Sequence, residues 1–488
     1  MRRAAGVGLL FAALGGGAHA AAPALTPCRL HGVAHEARCG SITRALDPAR
    51  EQGPTIELHF AVLPALARQP APDPVFFIAG GPGQSAIDLA RAVGRMLGRL
   101  GRTRDIVLVD QRGTGRSAPL RCDDDAPGTS VREQLEAPLQ VQRLRQCLAR
   151  LQALPWGDLR HYGTGVAMAD LDAVRQALGA ERINLVAASY GTRAALEYLR
   201  RYPQQLRRVV LDGVVPPDMA LPEAAASDAQ AAFDALLLAC AQDASCQRRH
   251  PQLPQRWRSL LATLPRQVQV AHPLTGHTES VWLSADALAQ LVRSALYAPS
   301  TAAALPAAID AAARSSFEPL VALAGALSPA SSRGTIAQGM HFSVVCSEDL
   351  PREGALRNGR GEGALGLGAG LAALYHEVCA FWPRGEVPAG FGDVAATRAP
   401  VLLLSGGIDP ATPPRHGERV ARALGERARH GVVPQAGHGL LALPCIGDAV
   451  VRFIEASDDA QALDVDAGCA RDMPRAALFV PPGGAPTP

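Results

Sequence analysis

The stretch "LVAASYGTRAALEYL", residues 185–199, has the pattern of a strand that passes directly into a helix, with a serine between them. A sharp strand-to-helix turn forces its central residue into a strained backbone conformation and exposes the side chain, as a nucleophile requires. The usual form is G-x-S-x-G around the serine, here Ser189; Gly191 supplies the second glycine, but Ala187 replaces the first. The extra methyl costs on the order of 1 kcal/mol if the position needs glycine's freedom, which a large domain tolerates. We therefore expect Ser189 to be a nucleophile.

The surrounding sequence predicts an α/β fold. Short apolar runs that end in Gly or Asp are typical of strands buried on both faces of a parallel sheet. Such runs, preceded by the half-exposed strand pattern "TIELHFAVL", are "PVFFIAG", "RDIVLVD", "RINLVAA" and "RRVVLDG". Helical spacing between them predicts a mostly parallel, doubly wound sheet, with ligand chemistry at the carboxyl ends of the strands.

The alternation of strand and helix patterns stops after about residue 215 and resumes near residue 396. The intervening block is Ala-rich with helical spacing, whereas "APVLLLSGG" and "HGVVPQAGHG" after it again have the strand pattern. We predict an inserted, mainly helical cap and a C-terminal return to the same sheet. The predicted units are a signal peptide (1–20), the first part of the core (21–215), the cap (216–395) and the C-terminal part of the core (396–488).

The N-terminus has the features of a secretory signal. Arg2 and Arg3 precede an apolar run over residues 7–14. Ala18-His19-Ala20, ahead of Ala21, has the small residues of a cleavage site. We expect an exported protein, periplasmic or extracellular, without stable membrane association after cleavage; an uncleaved N-terminal anchor is the alternative. The formal net charge of +3 gives no sign of a nucleic-acid partner.

The chain contains ten cysteines, an even number that in an exported protein favours disulfides. Sequence does not determine their connectivity, and we predict pairing between sequence neighbours. No C-x-x-C or H-E-x-x-H spacing occurs, so a metal site is not expected. The cysteines are Cys28, Cys39, Cys122, Cys147, Cys240, Cys246, Cys346, Cys379, Cys445 and Cys469.

A serine nucleophile needs a base, and the base needs an orienting carboxylate. Asp409 follows the predicted strand "VLLLSGG", and His438 follows the next strand pattern, "HGVV". The order Ser189, Asp409, His438 is the one used by α/β-hydrolases. Each residue alone has an ordinary explanation, namely a helix cap, a turn residue before Pro410 and a loop histidine. Their combined type, order and placement favour a catalytic triad.

The tetrahedral intermediate of such a reaction also needs hydrogen-bond donors for its oxyanion. The glycine-rich segment "IAGGPGQS", residues 78–85, follows a predicted strand. We assign the backbone N–H groups of Gly81 and Tyr190 to the oxyanion hole. A plain loop is the alternative explanation of the segment.

Several motifs together resemble the prolyl and tripeptidyl aminopeptidases of the α/β-hydrolase superfamily, and more closely their exported branch with a TAP-like C-terminal region. The resemblance runs from about residue 25 to 475, and it departs from the family pattern at Ala79, where histidine is frequent, and at Ala187. The motifs are "AGGPG" (79–83), "DQRGTGRS" (110–117), "ASYGT" (188–192), "LDGVVPP" (211–217), "GGIDPATPP" (406–414) and "GHG" (437–439).

The resemblance implies a serine aminopeptidase that takes peptides as substrates and needs no cofactor. It also implies that acidic residues of the cap bind the substrate's ammonium group, and Glu348 and Asp349 are the candidates. The alternative for these two acids is a solvated turn paired with Arg352. Asp110, Arg112 and Arg116 of "DQRGTGRS" are expected to brace their loop by ion pairing.

Two other functions remain open at this point. The same triad would serve an esterase or amidase that acts on small substrates. A catalytically silent binding protein on this scaffold is disfavoured, because all three triad positions are filled.

Overall fold

A computed structural model describes residues 24–50, 52–122, 129–326, 336–350, 367–466 and 468–479, and the predicted signal peptide lies outside these ranges. The strands are β1 Thr26–Cys28, β2 Ala37–Ala45, β3 Thr55–Leu63, β4 Val75–Ile78, β5 Ile106–Val109, β6 Ile183–Ala188, β7 Leu206–Asp212, β8 Arg266–Ala271, β9 Thr278–Leu283, β10 Val401–Gly406 and β11 Ala428–Val433. The helices are α1 Ala90–Met96, α2 Val131–Leu135, α3 Ala137–Gln152, α4 Thr164–Ala177, α5 Tyr190–Arg201, α6 Leu221–Gln242, α7 Ala244–Arg249, α8 Leu253–Ala262, α9 Ala285–Leu296, α10 Pro299–Ala302, α11 Leu305–Ala313, α12 Glu318–Ala326, α13 Gln338–Glu348, α14 Ala369–Cys379, α15 Pro414–Leu424, α16 Pro444–Glu455 and α17 Asp459–Leu463.

Nine strands form one large sheet in the order β1-β2-β3-β5-β4-β6-β7-β10-β11. Six neighbouring strands of this sheet run parallel, namely β5, β4, β6, β7, β10 and β11. Strands β1, β2 and β3 extend the sheet antiparallel at one end. Every residue of β4, β5 and β10 is buried. This explains why their sequences are continuous apolar runs rather than alternating patterns.

Helices cover both faces of the sheet, and alternate residues along each strand supply the two cores. On one face, Leu185 and Leu211 belong to a core that includes Met168 of α4 and Leu196 of α5. On the other face, Val186 and Val210 belong to a core with α1 and α16. The predicted doubly wound α/β architecture is confirmed.

Residues 213–400, here called the insertion, connect β7 to β10, and those of them that the structure describes add no strand to the large sheet. The described residues of the insertion are mainly helical. The cap boundaries expected from the sequence, 216 and 395, lie within the insertion. It also contains the antiparallel hairpin β8–β9, which sequence reasoning missed. The alternation in β8 buries Val268 and Val270 in the insertion's own apolar core.

The structure pairs the ten cysteines as sequence neighbours, as predicted. The Cys346–Cys379 disulfide joins α13 to α14 and spans 33 residues. Closing a loop of this length removes roughly 3–4 kcal/mol of chain entropy from the unfolded state in the simplest model. The five pairs are Cys28–Cys39, Cys122–Cys147, Cys240–Cys246, Cys346–Cys379 and Cys445–Cys469.

Helix α6 is long and apolar enough, by length and composition alone, to cross a membrane. Its Asp228, however, is buried and accepts a hydrogen bond from Nε2 of His416 on α15 at 2.9 Å. Arg415 forms an ion pair with the same carboxylate. These polar contacts between the insertion and the core are those of a helix packed within a folded protein.

Candidate active site

Ser189 is the single residue between β6 and α5, and its backbone has φ 55° and ψ −129°. A positive φ is strained for a residue with a Cβ. The surrounding backbone holds this conformation: the Ser189 N–H donates to the carbonyl of Asp212 at 2.8 Å, and the Ser189 carbonyl accepts from the N–H of Thr192 at 2.8 Å. The side chain plays no part in either bond.

The two positions flanking the turn differ in how much space they offer. A Cβ at Gly191 would collide with the carbonyl oxygens of Ile78 and Ala79, at the end of the neighbouring strand β4. Ala187, by contrast, lies inside β6 in register with Leu211 and is fully buried. Glycine is therefore required after the serine, whereas the strand before it accepts a methyl group.

Asp409 and His438 follow β10 and β11 and contact each other directly. The His438 Nδ1–H donates to Oδ2 of Asp409 at 2.8 Å. The same oxygen accepts from the Thr412 hydroxyl at 2.7 Å. The other carboxylate oxygen accepts from the N–H groups of Ala411 and Thr412 at 2.8 and 2.9 Å. The carboxylate is thus fixed, and it fixes the tautomer and orientation of the imidazole.

These contacts shift the pKa values of both groups. Burial works against ionisation of Asp409, but the charge and hydrogen bond of His438 and the Thr412 hydroxyl hold the pKa of Asp409 below its ordinary value. Burial also opposes protonation of His438, but the Asp409 charge and hydrogen bond raise the pKa of His438 above 6.5. The pair stabilises an imidazolium ion beside the carboxylate, which a general base forms during catalysis.

A second buried carboxylate, Asp212, holds the backbone of the histidine loop. It accepts from the N–H of Leu440 at 2.8 and 2.9 Å and from the N–H of Leu441 at 3.0 Å. Burial raises the pKa of Asp212 to about 6. Because its carbonyl also binds the N–H of Ser189, Asp212 joins the serine turn to the histidine loop. The sequence pattern "LDGVVPP" contained this residue but gave no sign of that role.

One pocket of about 60 Å³ is lined by four of the predicted site residues, and Asp409, His438 and Glu348 are not part of its lining. This volume is far below that of a typical ligand site, so a peptide must extend beyond it or the insertion must shift to admit one. Its lining includes Gly81, Ser189, Tyr190, Tyr297, Asp349 and Thr412. Thr412 also contacts His438, with its Oγ1 3.1 Å from Nδ1.

The glycine-rich segment lies against the serine turn. A Cβ at Gly80 would be 3.0 Å from the Cβ of Ser189 and 3.1 Å from the carbonyl oxygen of Ala188, so a side chain there would crowd the serine turn. The next residue, Gly81, has φ +109° and lines the pocket. Tyr190 begins α5, where backbone N–H groups have no partner within the helix. Gly81 and Tyr190 thus line the same pocket as Ser189.

Two protein families match this chain, and together they cover most of the large sheet and both ends of the insertion. Residues 73–269 match the family described as alpha/beta hydrolase fold. The chain has the α/β-hydrolase fold. Residues 367–461 match the family described as TAP-like protein, which agrees with the resemblance seen in the sequence motifs.

Relatives of this α/β-hydrolase include peptidases and an esterase. The chain is 27% identical to the serine protease Hip1 of Mycobacterium tuberculosis over 453 residues, which cover 84% of this chain and 85% of the relative. It is 29% identical to the tripeptidyl aminopeptidase of Streptomyces lividans over 195 residues, 37% of this chain and 36% of the relative. It is also 27% identical to carboxylesterase B of Mycobacterium tuberculosis over 415 residues, covering 80% and 78%.

The two acids predicted to bind an amine lie at the end of α13 in the hydrolase, and both are buried. Their burial contradicts the solvated turn considered for them, and Arg352, the expected partner in that turn, lies outside the described residues. Asp349 lines the pocket and accepts from Nη1 of Arg193 at 2.6 Å. Glu348 accepts from the N–H and hydroxyl of Thr164 at 2.6 and 2.8 Å. Burial raises the pKa of Glu348 to about 7, whereas Arg193 opposes that rise.

The "DQRGTGRS" segment of the hydrolase braces its loop in two ways. Arg112 is buried and forms an ion pair with Asp170, with Nε 2.7 Å from the carboxylate, as expected of a bracing residue. Asp110 instead accepts hydrogen bonds from the Ser85 hydroxyl at 2.6 Å and from the N–H groups of Ile87 and Arg116. The expectation of ion pairing thus describes Arg112, whereas Asp110 holds the loop through neutral donors.

Proposed function

We propose that this α/β-hydrolase is an exported serine aminopeptidase that releases tripeptides or single N-terminal residues, including proline, through an acyl-enzyme. The observation that carries the proposal is that Ser189, at a strained turn, lines the same pocket as Thr412, whose hydroxyl contacts both members of the Asp409–His438 pair. Hip1 and the tripeptidyl aminopeptidase support peptides as the substrate class. The five disulfides support an oxidising compartment outside the cytoplasm.

The proposed mechanism has two halves. His438 takes the proton of the Ser189 hydroxyl while Oγ attacks the scissile carbonyl, and Asp409 stabilises the resulting imidazolium. The N–H groups of Gly81 and Tyr190 hold the oxyanion, and His438 gives its proton to the departing amine as the C–N bond breaks. Water, deprotonated by His438, then attacks the acyl-enzyme and restores the serine hydroxyl. No cofactor takes part in these steps.

The raised pKa of His438 predicts the pH dependence of activity. Only the neutral imidazole accepts the serine proton, so kcat/KM must fall as the pH decreases through the pKa of His438, which lies above 6.5. Initial rates between pH 5 and 9 measure this acidic limb. In Asp409→Asn, which lacks the negative charge, the limb is expected to move to lower pH. A limb that does not move in this variant would contradict the assignment.

Asp349 is the better placed of the two candidate acids for binding the substrate ammonium group. Asp349 lines the same pocket as Ser189, whereas Glu348 is not part of that lining and binds Thr164 through both carboxylate oxygens. The ammonium group would approach Asp349 from the pocket, beside its contact with Arg193. We propose Asp349 as the direct contact and Glu348 as its buried support.

Asp349→Asn is expected to lower kcat/KM for substrates with a free amine by about tenfold to hundredfold, the value of a hydrogen bond to a charged group. The matched N-acetylated substrate should be affected much less. Because both rates come from the same sample, their ratio cancels any decrease in the fraction of folded enzyme. Asp172→Asn is the control, because Asp172 is a carboxylate paired with Arg175 at 2.6 Å outside the pocket lining. Equal losses on free and blocked substrates would refute the amine contact.

An esterase that acts on small substrates is the second candidate, favoured by the similarity to carboxylesterase B. The deciding experiment compares aminoacyl and tripeptidyl arylamides, their N-blocked forms and acyl p-nitrophenyl esters. The aminopeptidase proposal predicts the highest kcat/KM on free-amine arylamides and a loss when the amine is blocked. Comparable rates on acyl esters and no preference for a free amine would establish the esterase instead.

A further inference from the structure

The start of α13, in the insertion, is pressed against the glycine-rich segment that carries Gly81. The Ala337 N–H donates to the carbonyl of Gly83 at 2.9 Å. A Cβ at Gly83 would be 2.8 Å from the Ala337 carbonyl oxygen, so the two backbones meet with no room for a side chain. The insertion therefore contacts the segment beside Ser189 directly.

One turn further along α13, His341 contacts the same segment. Its Nδ1 lies 3.2 Å from the carbonyl oxygen of Pro82, and its Nε2 lies 2.6 Å from the hydroxyl of Tyr375 on α14. A carbonyl oxygen only accepts, so Nδ1 must carry the proton. Nε2 is then the acceptor of the Tyr375 O–H. Burial lowers the pKa of His341 to about 4, which keeps the ring neutral.

The surroundings of His341 hold it rigidly. The Cys346–Cys379 disulfide fixes α13 to α14, the helix that carries Tyr375. The ring of His341 packs edge-on against those of Phe342 and Tyr375, with centroids 5.3 and 5.6 Å apart. A side chain that is locked in this way can hold the group to which it donates.

We propose that His341 is a positioning residue that fixes the Pro82 carbonyl and thereby aims the neighbouring Gly81 N–H at the oxyanion. Gly81, at φ +109°, has a glycine's backbone freedom, so its N–H direction depends on what restrains the segment. The inference rests on the proposed function, in which Gly81 is an oxyanion donor. His341 itself does not contact the reacting atoms in this account.

Two amide replacements separate the roles of the two ring nitrogens. His341→Asn keeps an N–H near the position of Nδ1 and loses the contact to Tyr375, whereas His341→Gln reaches Tyr375 and loses the donor to Pro82. We expect His341→Gln to lower kcat by about tenfold to hundredfold with little change in KM, since a donor misplaced by about 1 Å acts mainly on the transition state. His341→Asn should retain kcat within about threefold of the wild type.

Equal loss in both variants, no loss in His341→Gln, or a change in KM alone would refute the inference. If neither variant folds, Tyr375→Phe decides, because it removes the O–H that keeps the proton on Nδ1. We expect a lower kcat at unchanged KM in Tyr375→Phe, and an unchanged kcat would then refute the positioning role.

The rate of covalent labelling by a fluorophosphonate distinguishes this inference from the proposed function. The reagent needs the nucleophile and the oxyanion donors but no particular substrate, so labelling should slow in His341→Gln in parallel with kcat. A wild-type enzyme that is not labelled at Ser189 refutes the proposed function and, with it, the inference. Normal wild-type labelling and an equal rate in His341→Gln refute the inference alone.

Discussion

Ser189→Ala is expected to lower kcat by about 10⁵-fold or more, the size of loss seen when a serine hydrolase loses its nucleophile. The variant should still fold, because the bonds that hold the turn come from the Ser189 backbone N–H and carbonyl and not from its hydroxyl. Alanine and serine have the same backbone restrictions, so the strain at φ 55° stays the same. Steady-state rates on the best arylamide, with thermal unfolding of both proteins, measure the two expectations.

Ser405→Ala is the matched control for this variant. Ser405 is buried in β10, and its hydroxyl lies 2.9 Å from Nε2 of His430, so it is a serine–histidine contact outside the pocket. We expect its loss to affect stability and leave kcat/KM close to that of the wild type. Turnover that persists in Ser189→Ala, or that is lost equally in Ser405→Ala, would contradict the assignment of Ser189.

Asp409→Asn is expected to lower kcat by about 10⁴-fold, the loss reported for this change in the serine protease triad. An asparagine oxygen can still accept the N–H groups of Ala411 and Thr412, so the loop should keep its shape. The side chain would no longer carry the charge that stabilises the imidazolium of His438. Its amide group would also favour the wrong tautomer of the ring. Rates near the wild-type pH optimum test this prediction.

Asp212→Asn is the informative comparison, since Asp212 is the other buried carboxylate tied to the histidine loop. Its oxygens bind backbone N–H groups of Leu440 and Leu441. Replacing it should therefore weaken the loop, with a loss of stability of about 1–3 kcal/mol. We expect a fall in kcat far smaller than in Asp409→Asn. The reverse ranking would make Asp212 the acid that orients His438.

The fold could be predicted from the sequence because the residues of each strand reflect whether one or both of its faces are buried. The continuous apolar runs in β4, β5 and β10 arise from burial on both faces, and a parallel sheet follows from them. The turn at Ser189 could also be predicted from the sequence. A Cβ at Gly191 would collide with neighbouring backbone, which explains the glycine at this position. The hairpin β8–β9 was missed because its short alternating strands lie within a long helical block.

The contacts around the site could not be predicted in the same way. Thr412 is three residues from Asp409, yet its bond to the carboxylate depends on the turn that the "DPAT" segment adopts. His341 and Tyr297 come from the insertion and reach the core only through packing. The Tyr297 carbonyl accepts the N–H of His438 at 2.9 Å, although the two residues are distant in sequence. Such pairs have no local pattern, so only the folded arrangement shows them.

Mass spectrometry of the folded protein after treatment with a fluorophosphonate tests the central claim most directly. The Ser189 oxygen should displace fluoride and form a phosphonyl ester. The account predicts one adduct per chain, located on the peptide that contains Ser189 and absent from Ser189→Ala. A folded protein that takes up no adduct, or that carries it on a different serine, would contradict the account.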